Sequence, residues 1–364
     1  MTRSYTVQRR EVASLRLAAQ SIQPGPDRHT ADPAQTVRRL LAVQAQDFAG
    51  AKWSVGLRTP GATDAAIDAS LAAGEIARSW PMRGTLHFVA PEDLGWMLSL
   101  TAERTIRSAA GRHRELGLTE GDFGLARDAA VEHLSGGRAL TRDELLARFV
   151  DAGVVVTGLR GIHLIQRLSQ WRVLVYGPLA GKQHTFALLD DRVPNPRRLE
   201  RDEALGEFAA RYFAGHGPAT VRDFAWWSSL TLADARRGLE LARPGLDELD
   251  VDGTPLFLAR DLVSADRAVH ALPGFDEFLL GYQDRSAPLA ADDAARVVPG
   301  KNGLFLPTIV VDGEVVGTWR RTVSAKTVTI ESAPFGTLSA RDASAFDAAL
   351  ERFAAFVGRT LVRA

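Results

Sequence analysis

Few residue types that carry enzyme chemistry are available in this 364-residue chain, and the gaps narrow the choice of reaction. Cysteine is absent, which removes thiol nucleophiles, thiolate zinc sites, iron–sulfur clusters and disulfide frameworks together. The eight histidines are scattered without HExxH or Hx3–5H spacing, so neither a metal site nor any other cofactor is expected. Lys52 is the only lysine among the first 181 residues, and nothing beside it resembles the surroundings that activate a Schiff-base lysine. Asp276, Glu277 and Asp284 offer the paired carboxylates of acid–base hydrolysis. Trp226 and Trp227 offer rings for stacking, although adjacent tryptophans on an amphipathic helix usually bury at least one of them. The run Gln44-Ala45-Gln46 places two neutral carboxamides close together and is by itself too short to mean anything.

These residues must be positioned by more than one core, since a chain of this length exceeds an ordinary single domain. No apolar run is long enough for a membrane span, and the N-terminus MTRSYTVQRREVASLR carries charges where a signal peptide needs apolar residues. A soluble cytoplasmic protein without membrane contact is therefore expected. Forty of the 44 basic residues are arginine, which suits bidentate phosphate contacts but is equally explained by a G+C-rich coding genome. The net charge of zero is unevenly spread: residues 1–198 carry +6 and the remainder −6. That asymmetry points to a basic face on the N-terminal half, where a polyanion can sit.

Helical periodicity dominates the first two-thirds, with apolar residues three and four apart over Glu11 to Ser21, Ala34 to Gln46, Thr63 to Ala73, Pro91 to Ala110 and Phe123 to Leu134. Turn residues between short β runs predict hairpins at 78–89, 171–188 and 247–259. GRALTRDELLARF, from Gly137, matches GPATVRDFAWWSS, from Gly217, at an offset of 80 residues. In the first copy Thr141 and Glu144 make a capping box. Each copy continues into a second helix and a hairpin, the plan of a winged helix. The fold class predicted is mainly α with β (α+β). Winged-helix units are expected at 1–119, 120–198 and 199–264, followed by a β domain at 265–364 with an Asp312-Gly313 turn and a closing helix from Ala340 to Gly358.

Five stretches together resemble a known family: QAQDFAGAKWSVGLR (44–58), RSWPMRGTLHFV (78–89), GPATVRDFAWWS (217–228), LPGFDEFLLGYQDRS (272–286) and NGLFLPTIVVDGEVVGTWRR (302–321). They are similar to the AlkZ-like and YcaQ-like bacterial DNA glycosylases, a winged-helix DNA-binding superfamily, and they cover nearly the whole chain. The resemblance implies three tandem winged-helix domains and a C-terminal β-barrel-like domain, arranged as a C-shape around duplex DNA. It implies hydrolysis of the N-glycosidic bond of N7-alkylated purines. In the AlkZ-like branch the substrates are natural-product adducts, including interstrand crosslinks, and the benefit is self-resistance. The family's Gln-aliphatic-Gln signature maps onto Gln44, Ala45 and Gln46; the YcaQ-like branch has Asp at the last position, so Gln46 favours the AlkZ-like branch.

An N7-alkylguanine is already cationic, so its glycosidic bond is weakened and the leaving base needs no strong acid. What remains is to hold a water beneath C1′ and stabilise an oxocarbenium-like sugar, a task within reach of Gln44 and Gln46. In a regular helix residues two apart point about 200° away from each other, so the pair converges only if helical geometry ends at or between them. Gly50 and a break before Trp53 are expected to provide that ending. Arg58, Arg83, His87, Lys301 and Asn302 are candidates for DNA contacts, while packing roles are expected for Trp226 and Trp227. Because the family signature puts the chemistry elsewhere, Asp276, Glu277 and Asp284 are read as structural, with Asp284 and Arg285 anchoring a domain junction. The expected partner is double-stranded DNA carrying alkylated bases, bound by a monomer with no obligatory protein partner. Two other readings are a winged-helix regulator without catalysis and a resistance protein that sequesters the free toxin; fold alone does not choose among them.

Overall fold

Side-chain caps mark where most of the longer helices begin in the computed structural model, which describes residues 9–22, 32–264, 266–300 and 303–364. The chain opens with α1 (Arg9–Ala19), α2 (Pro33–Leu40), β1 (Ala42–Gln44), α3 (Phe48–Leu57) and α4 (Asp64–Ala73). There follow β2 (Ala77–Met82), β3 (Thr85–Val89), α5 (Pro91–Glu115), α6 (Glu120–Leu134), β4 (Leu140–Thr141), α7 (Arg142–Asp151), α8 (Arg160–Gln170), β5 (Leu174–Tyr176), β6 (Thr185–Leu188) and α9 (Leu189–Arg192). Next are α10 (Arg201–His216), α11 (Val221–Ser228), α12 (Leu232–Ala242), β7 (Leu246–Val251) and β8 (Thr254–Ala259). The chain closes with β9 (Val269–Leu272), α13 (Glu277–Leu280), α14 (Ala294–Val297), β10 (Thr308–Val311), β11 (Glu314–Val323), β12 (Thr327–Pro334), α15 (Ala340–Phe356) and β13 (Thr360–Arg363). Backbone contacts group these elements into two units, Asp68–Ala204 and the combination of Met1–Ile67 with Leu205–Ala364.

In the unit Asp68–Ala204, β2 and β3 form the expected hairpin, closed by Arg83 and Gly84 at φ 55° and 66°, the two positive values that a tight twisted turn requires. Its register slips between Ser79 and Met82, where Pro81 has no N–H to give the ladder. Thr119 with Asp122 and Thr141 with Glu144 form capping boxes at the heads of α6 and α7. Between and after these helices, β4, β6 and β5 hydrogen-bond in that order into a small antiparallel sheet. The elements run in the order α6, β4, α7, α8, β5, β6.

The same order recurs in the other unit, where Ala219 bridges Phe257 in the place of a first strand, ahead of α11, α12 and the β7–β8 hairpin. Thr220 and Asp223 make a third capping box. The core beneath is aromatic: Phe208, Tyr212, Phe213, Phe224 and Trp227 are all fully buried. Five strands, in the order β13-β12-β11-β10-β9, then form an open sheet rather than a closed barrel; every pair is antiparallel except β12 with β13. Asp312 and Gly313, at φ 51° and 85°, turn β10 into β11 as expected. Helix α15 covers this sheet, with Phe353 packed edge-on against both Trp319 and Trp53.

One expectation fails at an informative place. The helix predicted over 34–46 ends at Leu40, and the chain enters strand β1 instead. Leu40 to Val43 are buried on every side, so the run has no polar face from which a helix can be told from a strand. Gly50 does not end a helix but lies inside α3, where a Cβ would come 2.4 Å from Asp47 Oδ2. Among the described residues no helix is long and apolar enough to cross a membrane.

Candidate active site

Gln44 is the last residue of β1 and Gln46 lies in the bend before α3. Helix α2, opened by the Asp32 cap and Pro33, stops because Leu41 takes φ 66° and ψ −44°, a strained region for a residue with a Cβ. Such strain persists only where the surroundings over-determine it, and Leu41 is fully buried. Asp47 then caps α3 by accepting from the Gly50 N–H at 3.0 Å, and its other oxygen accepts from Arg321 at 3.2 Å. Leaving helical geometry at Leu40 lifts the separation of about 200° that a helix would impose on residues 44 and 46; Gln46 itself lies beyond β1, in the bend.

The two glutamines differ in environment. Gln46 is exposed, whereas Gln44 is 8% exposed and its carboxamide oxygen is buried without a hydrogen-bond partner. A buried unpaired carbonyl costs about 1–3 kcal/mol, so its presence calls for an explanation. The Gln44 backbone is secured by contrast: its N–H donates to Glu277 Oε1 at 2.9 Å.

Glu277 belongs to a buried polar cluster built by consecutive residues at the head of α13. Its Oε2 accepts from the Trp227 indole at 2.8 Å and lies 3.5 Å from His216 Nε2. The preceding residue, Asp276, receives Arg58 in a two-pronged ion pair at 2.7 and 2.8 Å, together with the Ser54 hydroxyl at 2.7 Å. Gln20 joins both halves, accepting from Arg58 and donating to the Glu277 carbonyl and Tyr282 hydroxyl. Burial pushes the Tyr212 and Tyr282 hydroxyls well up, consistent with their service as donors to the carbonyls of Gly281 and His216.

A family model described as DNA glycosylase AlkZ-like matches residues 37–356. The interstrand DNA cross-link repair glycosylase of Streptomyces sahachiroi is 30% identical over 335 residues, which cover 85% of this chain and 87% of that protein. The chain belongs to the AlkZ-like DNA glycosylase family. The solved structure of Streptomyces sahachiroi DNA glycosylase AlkZ superposes with a TM-score of 0.81 at 25% identity, over 99% of this chain and all of that one.

In this AlkZ-like chain the other sequence-derived candidates fall into four groups. Arg58, expected to contact DNA, is buried with its guanidinium on Asp276, Gln20 and Ser54, so its position is that of a structural cation. Arg83 and His87 do come together on the β2–β3 hairpin: Arg83 Nη2 donates to His87 Nε2 at 2.9 Å. The bond from His87 Nδ1–H to the Thr85 carbonyl, 2.9 Å, fixes the tautomer that leaves Nε2 able to accept. Lys301 and Asn302 lie outside the described residues. Trp227 is fully buried and Trp226 partly so, beneath Arg285 at 5.1 Å, as their packing role requires. Sequence pattern gave no sign that Glu277 holds the Gln44 peptide, although both lie within the stretches that carry the family resemblance.

Proposed function

We propose that this protein hydrolyses the N-glycosidic bond of bulky N7-alkylated purines in duplex DNA, with Gln44 and Gln46 as the residues that position the attacking water. The observation that carries the reading is the Gln44 carboxamide oxygen, buried and unpaired on a peptide that is itself firmly bonded. An acceptor kept without a protein partner is available to a water hydrogen. The water oxygen attacks C1′ as the bond to N9 breaks. The bond's electron pair passes to the base and cancels its positive charge, and the surplus water proton leaves to solvent, since a carboxamide is too weak a base to keep it.

The relative's name extends the proposed substrate to interstrand crosslinks. Three winged-helix domains are read from the order helix, strand, helix, helix, strand, strand, which runs α2 to β3, α6 to β6 and α10 to β8 when the Ala219 bridge stands for a strand. The reaction is assigned as monofunctional. The Lys52 ammonium is tied to the Asp64 carboxylate at 2.8 Å, whereas a Schiff base needs a free amine.

The test uses duplexes bearing N7-methylguanine, a bulky intercalated N7 adduct or an N7–N7 crosslink, followed by heating in alkali to reveal abasic sites. Base release by the wild type, lost in both Gln44→Ala and Gln46→Ala, is the expected result. Full activity in both variants removes the assignment, and a borohydride-trapped protein–DNA adduct removes the monofunctional one.

A further inference from the structure

We propose that Glu277 is a positioning residue for Gln44: its buried carboxylate fixes the peptide from which the Gln44 carboxamide acts. The proposal rests on the assignment of Gln44 to catalysis. Burying a carboxylate is costly unless its lone pairs are satisfied, and well-packed apolar residues usually serve stability as well or better. Glu277 is nonetheless fully buried, with His216 Nε2 3.5 Å from its Oε2 and Arg58 engaged by the neighbouring Asp276. One oxygen takes the Gln44 N–H and the other the Trp227 indole N–H. With both carboxyl oxygens accepting from N–H donors, the Gln44 nitrogen is tied to a side chain that is itself held at its other oxygen.

Each part of the clamp is itself immobilised. Asp276 Oδ1 accepts from the Phe278 N–H at 2.9 Å and Gln20 holds the Glu277 carbonyl at 3.1 Å, so the head of α13 is fixed on both sides of Glu277. Trp227 is wedged among Phe208, Tyr212 and His216, with ring centroids 4.9 to 5.9 Å apart. The Gln44 Cα lies one covalent bond from the clamped nitrogen, and a misplacement of about 1 Å at a reacting group costs on the order of 100-fold in rate.

Glu277→Gln is the decisive substitution. A carboxamide keeps the size but offers one oxygen, so its NH2 confronts either the Gln44 or the Trp227 N–H. For release of N7-methylguanine from duplex DNA, kcat is expected to fall roughly 10- to 100-fold. KM and duplex affinity should stay within about twofold, because Glu277 is buried away from any ligand. Trp227→Phe, which frees only one oxygen, should give a smaller loss of kcat. A role confined to stability would lower the folded fraction and leave kcat per folded molecule unchanged, which overturns the proposal.

The wild type supplies a measurement that does not depend on variants folding. With glutamine-selective 15N labelling, the Gln44 amide proton should be shifted downfield and exchange slowly with solvent; exchange as fast as an unprotected amide overturns the clamp. Gln44→Ala is assayed alongside. If it is fully active, the assignment of Gln44 falls; if it is inactive while Glu277→Gln keeps wild-type kcat, the positioning proposal alone falls.

Discussion

Replacing Gln44 by methionine should stabilise the protein and inactivate it together. The Gln44 carboxamide oxygen is buried without a partner, and that deficit amounts to about 1–3 kcal/mol. Methionine has similar reach, adapts to irregular space and brings no strong polar group, while the backbone bond to Glu277 is independent of the side chain. The unfolding free energy should therefore rise by about 1–3 kcal/mol, with a midpoint gain of about 2–4 °C per kcal/mol for a unit of 150–250 residues. Base release from an N7-methylguanine duplex should fall by at least about 100-fold, since no acceptor remains for the water. Calorimetry and single-turnover assays on the same preparation measure both effects. A residue whose task is packing would show the reverse pattern, lower stability with activity retained, and that outcome removes Gln44 from the chemistry.

Arg58→Ala strands the Asp276 carboxylate and should cost about 3–5 kcal/mol in urea unfolding, without changing the salt dependence of DNA binding. Arg83→Gln, on the β2–β3 hairpin, takes the donor from the buried His87 Nε2 and should cost about 1–3 kcal/mol, and it should lower the slope of log affinity against log salt by about one phosphate contact; an unchanged slope removes Arg83 from the DNA contacts. Burial, with the charges of Arg352 and Arg58 adding to it, pushes His270 down to about 4, and neither ring nitrogen has a partner. The unfolded chain then binds the proton more tightly than the folded one, so this contribution is full above about pH 6.5 and lost as pH falls through 4. The difference between pH 7 and 4 is about 3 kcal/mol, and His270→Phe should flatten the pH dependence of stability by that amount.

What was legible in the sequence is what local chemistry specifies. The Thr141–Glu144 box, the Asp312-Gly313 turn and the 78–89 hairpin depend on neighbours a few residues apart, and each stands where the pattern placed it. Helix α3 shows no such pattern, because Gly50 to Gly56 are buried on all sides and three-residue periodicity vanishes when a helix has no wet face. Strand β1 was illegible for the same reason. Arg58 misled in a different way: a lone arginine inside a matching motif reads as a phosphate contact, and only its partner 218 residues away shows it to be internal. The reading of Gln44 and Gln46 as a catalytic pair came through resemblance alone, since neither spacing nor periodicity distinguishes them from a surface dipeptide repeat.

The distant partner of Arg58 and the distant partner of Gln44 are adjacent residues, and that adjacency bears on how the site is kept rigid. Glu277 holds the chain four residues before α3 begins, while Asp276 holds Ser54 and Arg58 at its far end. A third point lies along the same helix, where Gly56 lets the Phe356 ring approach so closely that a Cβ would sit 2.3 Å from it. Catalytic groups need positioning within about 0.5 Å, and side chains on loops rarely achieve it unaided. Gln46 and Asp47 lie in such a loop, yet the loop is short and both of its ends are bonded to α13, directly at Gln44 and through α3 at Ser54. The charges that do this are kept off the glutamines themselves. Positions 44 and 46 carry neutral amides, and the carboxylates that fix this stretch, Glu277 on the Gln44 N–H and Asp276 on Ser54 and Arg58, both belong to the head of α13.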